Sequence, residues 1–255
     1  MLLAIDVGNT QTHIGVFSKA EIVAQWRTHT VRTRTADELA LTFRQFLSMD
    51  DLSFDRQITG VVISSVVPTL TAAIREMVER YFHFSPVVIE PGTRTGMPIH
   101  IDNPGELGAD RICNSVGAFS LVGGPLIIID FGTATTFDVI SQRGEYLGGA
   151  IAPGVQVSSD ALARAAARLP RVELVAPRSV IGKTTIESVR AGVLLGAAAM
   201  VDGMVDRIRT EMKGEPQVVA TGGLAPLVLE HCTTKTRFEP TLTLSGLHIL
   251  YERNV

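Results

Sequence analysis

Two short stretches of this chain carry the same arrangement of residues able to grip a polyphosphate. Asp6-Val7-Gly8-Asn9-Thr10-Gln11-Thr12 follows the apolar run Leu2-Leu3-Ala4-Ile5, and Asp130-Phe131-Gly132-Thr133-Ala134-Thr135-Thr136 follows Leu126-Ile127-Ile128-Ile129. In each, an Asp ends a buried strand, a Gly permits a tight turn, and hydroxyl-bearing residues open the next strand. Turns of this kind present N–H groups and Thr hydroxyls to phosphate oxygens, while the carboxylate holds a cation directly or through water. The two aspartates lie 124 residues apart in a chain of 255. Two similar domains facing each other across a cleft would give that spacing, with the two turns holding an ATP tail from both sides.

A second chemical element is the run Asn103-Pro104-Gly105-Glu106-Leu107-Gly108-Ala109-Asp110-Arg111, which places a carboxylate beside a guanidinium near a helix N-terminus. Asp110 is a candidate general base for a hydroxyl, and Arg111 a candidate clamp for a carboxylate or phosphate. Adjacent Asp and Arg are ordinarily surface charge; what singles out this pair is its position on the helix that feeds the strand ending at Asp130. Other signals fail. Gly182-Lys183-Thr184 looks like the end of a phosphate-binding Walker loop, but Pro177 stands where the first glycine is required and no apolar strand precedes it. The six histidines show no metal-binding spacing. Gly148-Gly149 and Pro153-Gly154 read as structural turns, and Gly192 and Gly196, four apart on a helix of small residues, as sites of close helix packing.

Composition limits the function classes. With 45% hydrophobic and 19% charged residues the chain can bury a full core. A net charge of −3 and the lack of a basic stretch argue against a general nucleic-acid or anionic-membrane binder. Cys113 and Cys232 have no paired spacing, which suits a reducing cytoplasm and indicates neither a disulfide framework nor a metal site. The N-terminal sequence reads as a strand rather than a signal peptide. The most apolar helical stretch, 191–201, reads as too short for a bilayer and as a core or interface helix.

These residues must be carried by a regular framework. Strands are expected at 2–5, 12–17 and 22–27, a helix from Ala36 with the capping box Thr35-Ala36-Asp37-Glu38, a strand at 60–64, a helix at 69–81 behind Pro68, and a strand at 86–89. A helix over about 106–121 leads into a second meander at 126–130, 135–140 and 146–151, with a hairpin turn at 142–145. Helices at about 156–168 and 185–212, a strand at 217–221, a short helix after Gly223 and a final helix at 244–252 complete the pattern. The expected division is an N-terminal half, 1–104, and a C-terminal half, 105–255. A duplicated unit of this kind with a nucleotide in its cleft describes the α/β architecture shared by actin, sugar kinases and Hsp70. In that architecture the segment Ala220-Thr221-Gly222-Gly223-Leu224 lies where adenine and ribose sit; taken alone it reads as a strand-to-helix turn.

The ordered set of motifs resembles the type III pantothenate kinase family along nearly the whole chain. The set comprises DVGNT at 6–10, Gln25-Trp26-Arg27, Ile63-Ser64-Ser65-Val66-Val67-Pro68, NPGELGADR at 103–111, DFGTATTFDV at 130–139, GGAIAPG at 148–154, Leu169-Pro170, GKTT at 182–185, ATGG at 220–223 and Leu244-Ser245-Gly246-Leu247. The resemblance implies an actin-like ATPase fold (acetate kinase, sugar kinase, Hsp70, actin) with ribonuclease H-like halves and ATP-dependent phosphorylation of pantothenate, the first step of coenzyme A synthesis. It assigns the loop Asp6, Val7, Gly8, Asn9, Thr10, Gln11, Thr12 and His13, with Thr133, Gly222 and Gly223, to ATP, and gives Mg²⁺ to Asp6 through water. Asp130 takes a monovalent cation, K⁺ or NH₄⁺. Gly108, Ala109, Asp110 and Arg111 form the pantothenate site, Asp110 as base and Arg111 toward the carboxylate. The family is dimeric, and Thr185 matches a threonine that reaches the neighbouring subunit's pantothenate. Many members carry Tyr in the substrate wall where this chain has Ile101. Two readings compete: a kinase of another small hydroxy acid, since fold does not fix the acceptor, and a non-catalytic nucleotide-binding regulator such as an accessory transcription factor. The regulator predicts loss of a carboxylate, yet Asp6, Asp110 and Asp130 are all present.

Overall fold

The structure is a computed structural model that describes residues 1–54 and 56–255. Along the chain run β1 (Leu2–Val7), β2 (Gln11–Ser18), β3 (Glu21–His29), α1 (Ala36–Met49), β4 (Gly60–Ser65), α2 (Pro68–Phe82), β5 (Val87–Val88) and α3 (Ala109–Val122). They are followed by β6 (Leu126–Phe131), β7 (Ala134–Ile140), β8 (Tyr146–Pro153), α4 (Val155–Ala165), α5 (Thr185–Met212), β9 (Gln217–Thr221), α6 (Ala225–Leu229), β10 (Arg237–Phe238) and α7 (Leu242–Asn254). The sheets have orders β3-β2-β1-β4-β5 and β10-β9-β6-β7-β8. Each is an antiparallel three-strand meander whose first strand also pairs in parallel with the strand after the crossover, β1 with β4 and β6 with β9. One topology is therefore built twice.

The sequence reasons for these elements are local. The hydroxyl of Thr35 accepts from the Glu38 N–H at 3.3 Å and the Glu38 carboxylate accepts from the Thr35 N–H at 2.8 Å, so the capping box starts α1. Leu39, Ala40, Phe43 and Leu47 then recur at helical spacing and are all buried. Trp26 stacks on Phe46 of α1 and donates to Asp50 Oδ2 at 3.0 Å, which makes the Gln25-Trp26-Arg27 motif a packing device. Ser65 bonds the Val67 backbone on both sides of a short turn and Pro68 opens α2.

Contacts divide the chain into two compact units with different bounds from the expected cut at 104. The first comprises 1–98, 102–120 and 241–255; the second comprises 99–101 and 121–240. Two helices explain the difference. In the first unit α7 packs on β1, β2 and β4, and it meets α3 through glycines. A Cβ on Gly246 would lie 2.6 Å from the Cys113 carbonyl carbon, and one on Gly117 2.8 Å from the Leu242 oxygen. The Leu244-Ser245-Gly246-Leu247 motif is thus what lets the last helix lie against the helix bearing Asp110. Leu3, Ile5, Val7, Ile63, Phe43 and Met77 belong to the first unit's core, and Ile127, Ile129, Phe137, Leu194, Val201 and Val218 to the second's.

Several expectations shift. The helix expected from 106 begins at Ala109 behind a single 3-10 turn, Pro104–Glu106, because Asn103 Nδ2 ties to Glu106 Oε1 at 2.8 Å and Gly108 supplies the first helical carbonyl. The helix expected at 156–168 stops at Ala165, α7 runs longer than 244–252, and β10 has no clear sequence signal. The apolar part of α5 is also longer than 191–201: an 18-residue window has mean hydropathy 1.4 with a third of it buried, so by length and composition it could span a bilayer.

Candidate active site

The first turn grows from β1, which is buried throughout except at Asp6. Asp6 pairs with His13 of β2 and with Ser64 of β4, so a carboxylate stands at the strand end between an imidazole and a hydroxyl. Val7 is core, its carbonyl accepting from the Val66 N–H at 3.1 Å. The buried Thr12 hydroxyl meets Thr30 Oγ1 at 3.0 Å, and Thr30 in turn donates to the Gly8 carbonyl at 2.7 Å. Val7 and Thr12 therefore build the turn, leaving Asn9, Thr10 and Gln11 exposed at its tip. His13 is held neutral near pH 7. Burial, helped by the Arg27 charge and opposed by a bond to Gln25, lowers its pKa to about 4. The sequence reading missed Arg32, whose Nη2 donates to Asn9 Oδ1 at 3.1 Å and brings a guanidinium to the turn. Its only signal was a basic residue just beyond β3.

Asp110 belongs to the same unit. The later start of α3 puts Asp110 and Arg111 in the helix's first turn, where Asp110 Oδ1 accepts from the Arg111 N–H at 2.8 Å. A Cβ on Gly108 would lie 2.6 Å from Asp110 Oδ1, so a side chain there would push this carboxylate aside. One turn along, the buried Cys113 thiol is pushed well above the usual range, first by burial and then by the charges of Asp6 and Asp110. The charges of both carboxylates thus reach one buried thiol. Cys113 was noted in the sequence only as an unpaired cysteine.

The second unit repeats the device with a tighter hairpin. Gly132 N–H donates to the Ala134 carbonyl at 3.0 Å, whereas Gly8 reaches one residue further, to Gln11. The register consequently matches Thr12 with Thr135, each buried opposite the residue after its Asp, rather than with Thr136. Asp130 pairs with Thr136 and Thr221, a carboxylate between two hydroxyl residues. Thr133 lies at the turn's tip, its carbonyl accepting from the Gly154 N–H at 3.1 Å. Gly154 packs against that backbone, which confirms a structural turn. Gly222 has a positive φ of 98°, and a Cβ there would lie 2.6 Å from Phe131 N, so this glycine has a packing reason of its own. Gly223 follows it before α6.

Thr185 is the first residue of α5; Thr184 is its cap, accepting from the Glu187 N–H at 3.2 Å. A Cβ on Gly182 would meet Glu187 and Ser188 backbone, so Gly182-Lys183-Thr184 is a helix start and not a phosphate loop. Thr185 lines an apolar groove of about 540 Å³ between α4 and α5 with Leu162, Ser188, Gly192, Gly196 and Met200. Within the chain, Gly192 and Gly196 meet nothing within 4 Å of a built Cβ. Ile101 lies on the second unit, its Cγ2 3.8 Å from where a Cβ on Gly148 would be. Among the described residues no group of three or more His, Cys, Asp or Glu is placed to hold a metal ion.

A duplicated sheet with a carboxylate-glycine turn on each copy defines the actin-like ATPase fold, and solved structures agree. A conserved putative Baf family transcriptional activator from Campylobacter jejuni covers 99% of this chain and 98% of its own at TM-score 0.61 and 19% identity. The activator of 2-hydroxyisocaproyl-CoA dehydratase from Clostridium difficile, with bound ADPNP, covers 98% and 93% at 0.59 and 16% identity. At such identities the likeness is one of fold. Sequence is more specific: the type III pantothenate kinase family model matches residues 2–207. Proteins described as type III pantothenate kinase from Frankia casuarinae and Moorella thermoacetica are 53% and 52% identical over the full length of both chains. This chain belongs to the type III pantothenate kinase family.

Proposed function

We propose that the protein transfers the γ-phosphoryl group of ATP to the primary hydroxyl of pantothenate, giving 4'-phosphopantothenate in the first step of coenzyme A synthesis. One observation carries the reading: within a chain more than half identical to such kinases over its length, Asp110 stands in the first turn of α3 with its carboxylate held by the Arg111 N–H, in the same compact unit as the turn that bears Asp6. A candidate base and a phosphate-turn carboxylate thus belong to one unit.

Phosphoryl transfer asks for positioning and charge neutralisation more than covalent chemistry. The exposed tip Asn9, Thr10 and Gln11, with Arg32 beside it, and Thr133 of the second turn donate to the phosphate oxygens; Gly222 and Gly223 border the nucleoside. Asp110 is oriented by the Arg111 N–H through Oδ1, and its Oδ2 takes the hydroxyl proton. In a loose transition state that proton leaves late, so orienting the hydroxyl counts as much as basicity. The Arg111 guanidinium clamps the pantothenate carboxylate. Asp6 fits a Mg²⁺ ion held through water, since such ions keep much of their hydration. Asp130, between Thr136 and Thr221, offers the oxygen-only donors that K⁺ or NH₄⁺ takes. Bound cations supply charge neutralisation on the phosphates.

We further propose a homodimer in which α5 and its groove are covered by a second copy. Support comes from the uncovered Gly192 and Gly196, the exposed Ile151, Val180, Ile181 and Ile186, and the apolar window of α5, of which only a third is buried. Thr185 would then serve the neighbour's pantothenate. The free cysteines and net charge of −3 favour a cytoplasmic enzyme that binds neither nucleic acid nor membrane. The test is ATP consumption by purified protein with and without pantothenate, against other small hydroxy acids. Consumption that rises only with pantothenate is expected. A rise with another acid, or with none, would overturn the reading.

A further inference from the structure

Asp138 and Tyr146 form a buried pair that the reaction does not explain. Both are almost fully inaccessible, and the Tyr146 hydroxyl donates to Asp138 Oδ1 at 2.6 Å. Thr136, which pairs with Asp130, donates to Asp138 Oδ2 at 3.4 Å. The pair bridges β7 and β8 where their register shifts, between Val139 and Ile140. Two residues on, Gly148 takes a φ of 124°, which restores the strand after the shift.

Tyr146 also holds a separate piece of chain. Its carbonyl accepts from the His100 N–H at 2.8 Å, and it forms a parallel bridge with Ile99. His100 Nε2 lies 3.8 Å from Glu145 Oε1, and Glu145 is anchored by Ser141 at 2.6 Å. These ties explain why 99–101 belongs to the second unit although the chain on both sides of it belongs to the first. Ile101 is the last residue of this strap and sits over Gly148.

We infer that Asp138 and Tyr146 are positioning residues for acceptor recognition: by fixing β8 at its register shift they fix the 99–101 strap, and so set where Ile101 stands in the substrate wall. The inference rests on the reading that Ile101 lines the pantothenate site. A carboxylate buried against a tyrosine hydroxyl holds its geometry strictly, since removing either partner takes a bond from a desolvated polar group. Asp138→Asn retains an oxygen acceptor for Tyr146, whereas Tyr146→Phe removes the bond.

The experiment measures KM for pantothenate, KM for ATP and kcat in the parent, Tyr146→Phe, Asp138→Asn, Ile101→Ala and His100→Pro, with amide hydrogen exchange of 99–101. His100→Pro deletes the N–H that ties the strap to Tyr146 and leaves the buried pair intact, so it serves even if Tyr146→Phe does not fold. Tyr146→Phe and His100→Pro are each expected to raise pantothenate KM about tenfold, below the roughly 100-fold cost of misplacing reacting atoms by 1 Å. ATP KM and kcat should stay within about twofold, exchange at 99–101 should quicken in Tyr146→Phe, and Asp138→Asn should stay near the parent. If Ile101→Ala raises pantothenate KM while Tyr146→Phe and His100→Pro do not, the positioning role fails and the site reading stands. If Ile101→Ala has no effect, the wall assignment fails and the inference with it. Parallel rises in both KM values would mean a structural role only, and a parent inactive on pantothenate would overturn the functional reading itself.

Discussion

Replacing Gly246 by Ala probes how closely the last helix must lie against the helix that bears Asp110. The added Cβ would lie 2.6 Å from the Cys113 carbonyl carbon and 2.9 Å from its Cα, both backbone atoms, where ordinary contact begins at 3.4 Å. The helices must therefore part by at least 0.8 Å, the difference between 3.4 and 2.6 Å, and no flexible side chain can absorb the shift. Overpacking of this kind costs about 1–3 kcal/mol. In a chain of this size that lowers Tm by roughly 2–4 °C per kcal/mol. Because Cys113 is one turn from Asp110 on α3, the base moves with it; at on the order of 100-fold per 1 Å of misplacement, kcat/KM should fall roughly 10- to 100-fold. Thermal melting and a coupled ATP assay with pantothenate report the two effects. Ser245→Ala, which removes a hydroxyl bonded within its own helix to the Thr241 carbonyl, is the control and should change neither. A Gly246→Ala protein with parental Tm and kcat/KM would refute the argument that this glycine sets the distance between α3 and α7.

Activity should be higher in potassium or ammonium buffer than in sodium, and Asp130→Ala should abolish the difference; equal rates in all three for the parent would remove Asp130 from a cation role. Asp110→Asn and Thr185→Trp, each inactive alone, should regain activity when their subunits are dissociated, mixed and reassociated, because a heterodimer holds one site with both defects and one with neither. No recovery despite verified subunit exchange would mean that Thr185 serves its own chain or no site. The His13 pKa, lowered from 6.5 to about 4, makes the unfolded chain bind the extra proton between those values. Stability tied to neutral His13 is thus present above pH 6.5 and lost as pH falls toward 4, and His13→Gln should flatten the Tm profile there; an unchanged slope would contradict the burial of this imidazole.

Most of the framework was legible because its signals are local. The capping box at Thr35, Pro68 at a helix start, the apolar strand runs and the recurrence of Asp-x-Gly all act within a few residues. Unit boundaries were not legible at 104, because α7 joins the first unit through contacts made across more than 100 residues, glycine against backbone. The start of α3 was drawn too early since Pro104, Gly105 and Glu106 suit a helix's first turn, yet Gly108 provides the opening carbonyl. The two turns were aligned residue for residue in the sequence, whereas their hairpins differ by one residue, visible only in the register. Arg32 and the tie between the 99–101 strap and Tyr146 went unread because nothing in spacing alone joins residue 9 to 32, or 100 to 146.

Asp110 is the residue through which this protein is expected to phosphorylate pantothenate. The most direct measurement is single-turnover formation of 4'-phosphopantothenate by the parent and by Asp110→Asn, with ATP binding measured on both. The account expects product from the parent, unchanged ATP binding in the variant, and a turnover loss of roughly 10²–10⁴-fold. Turnover of Asp110→Asn within threefold of the parent would contradict it.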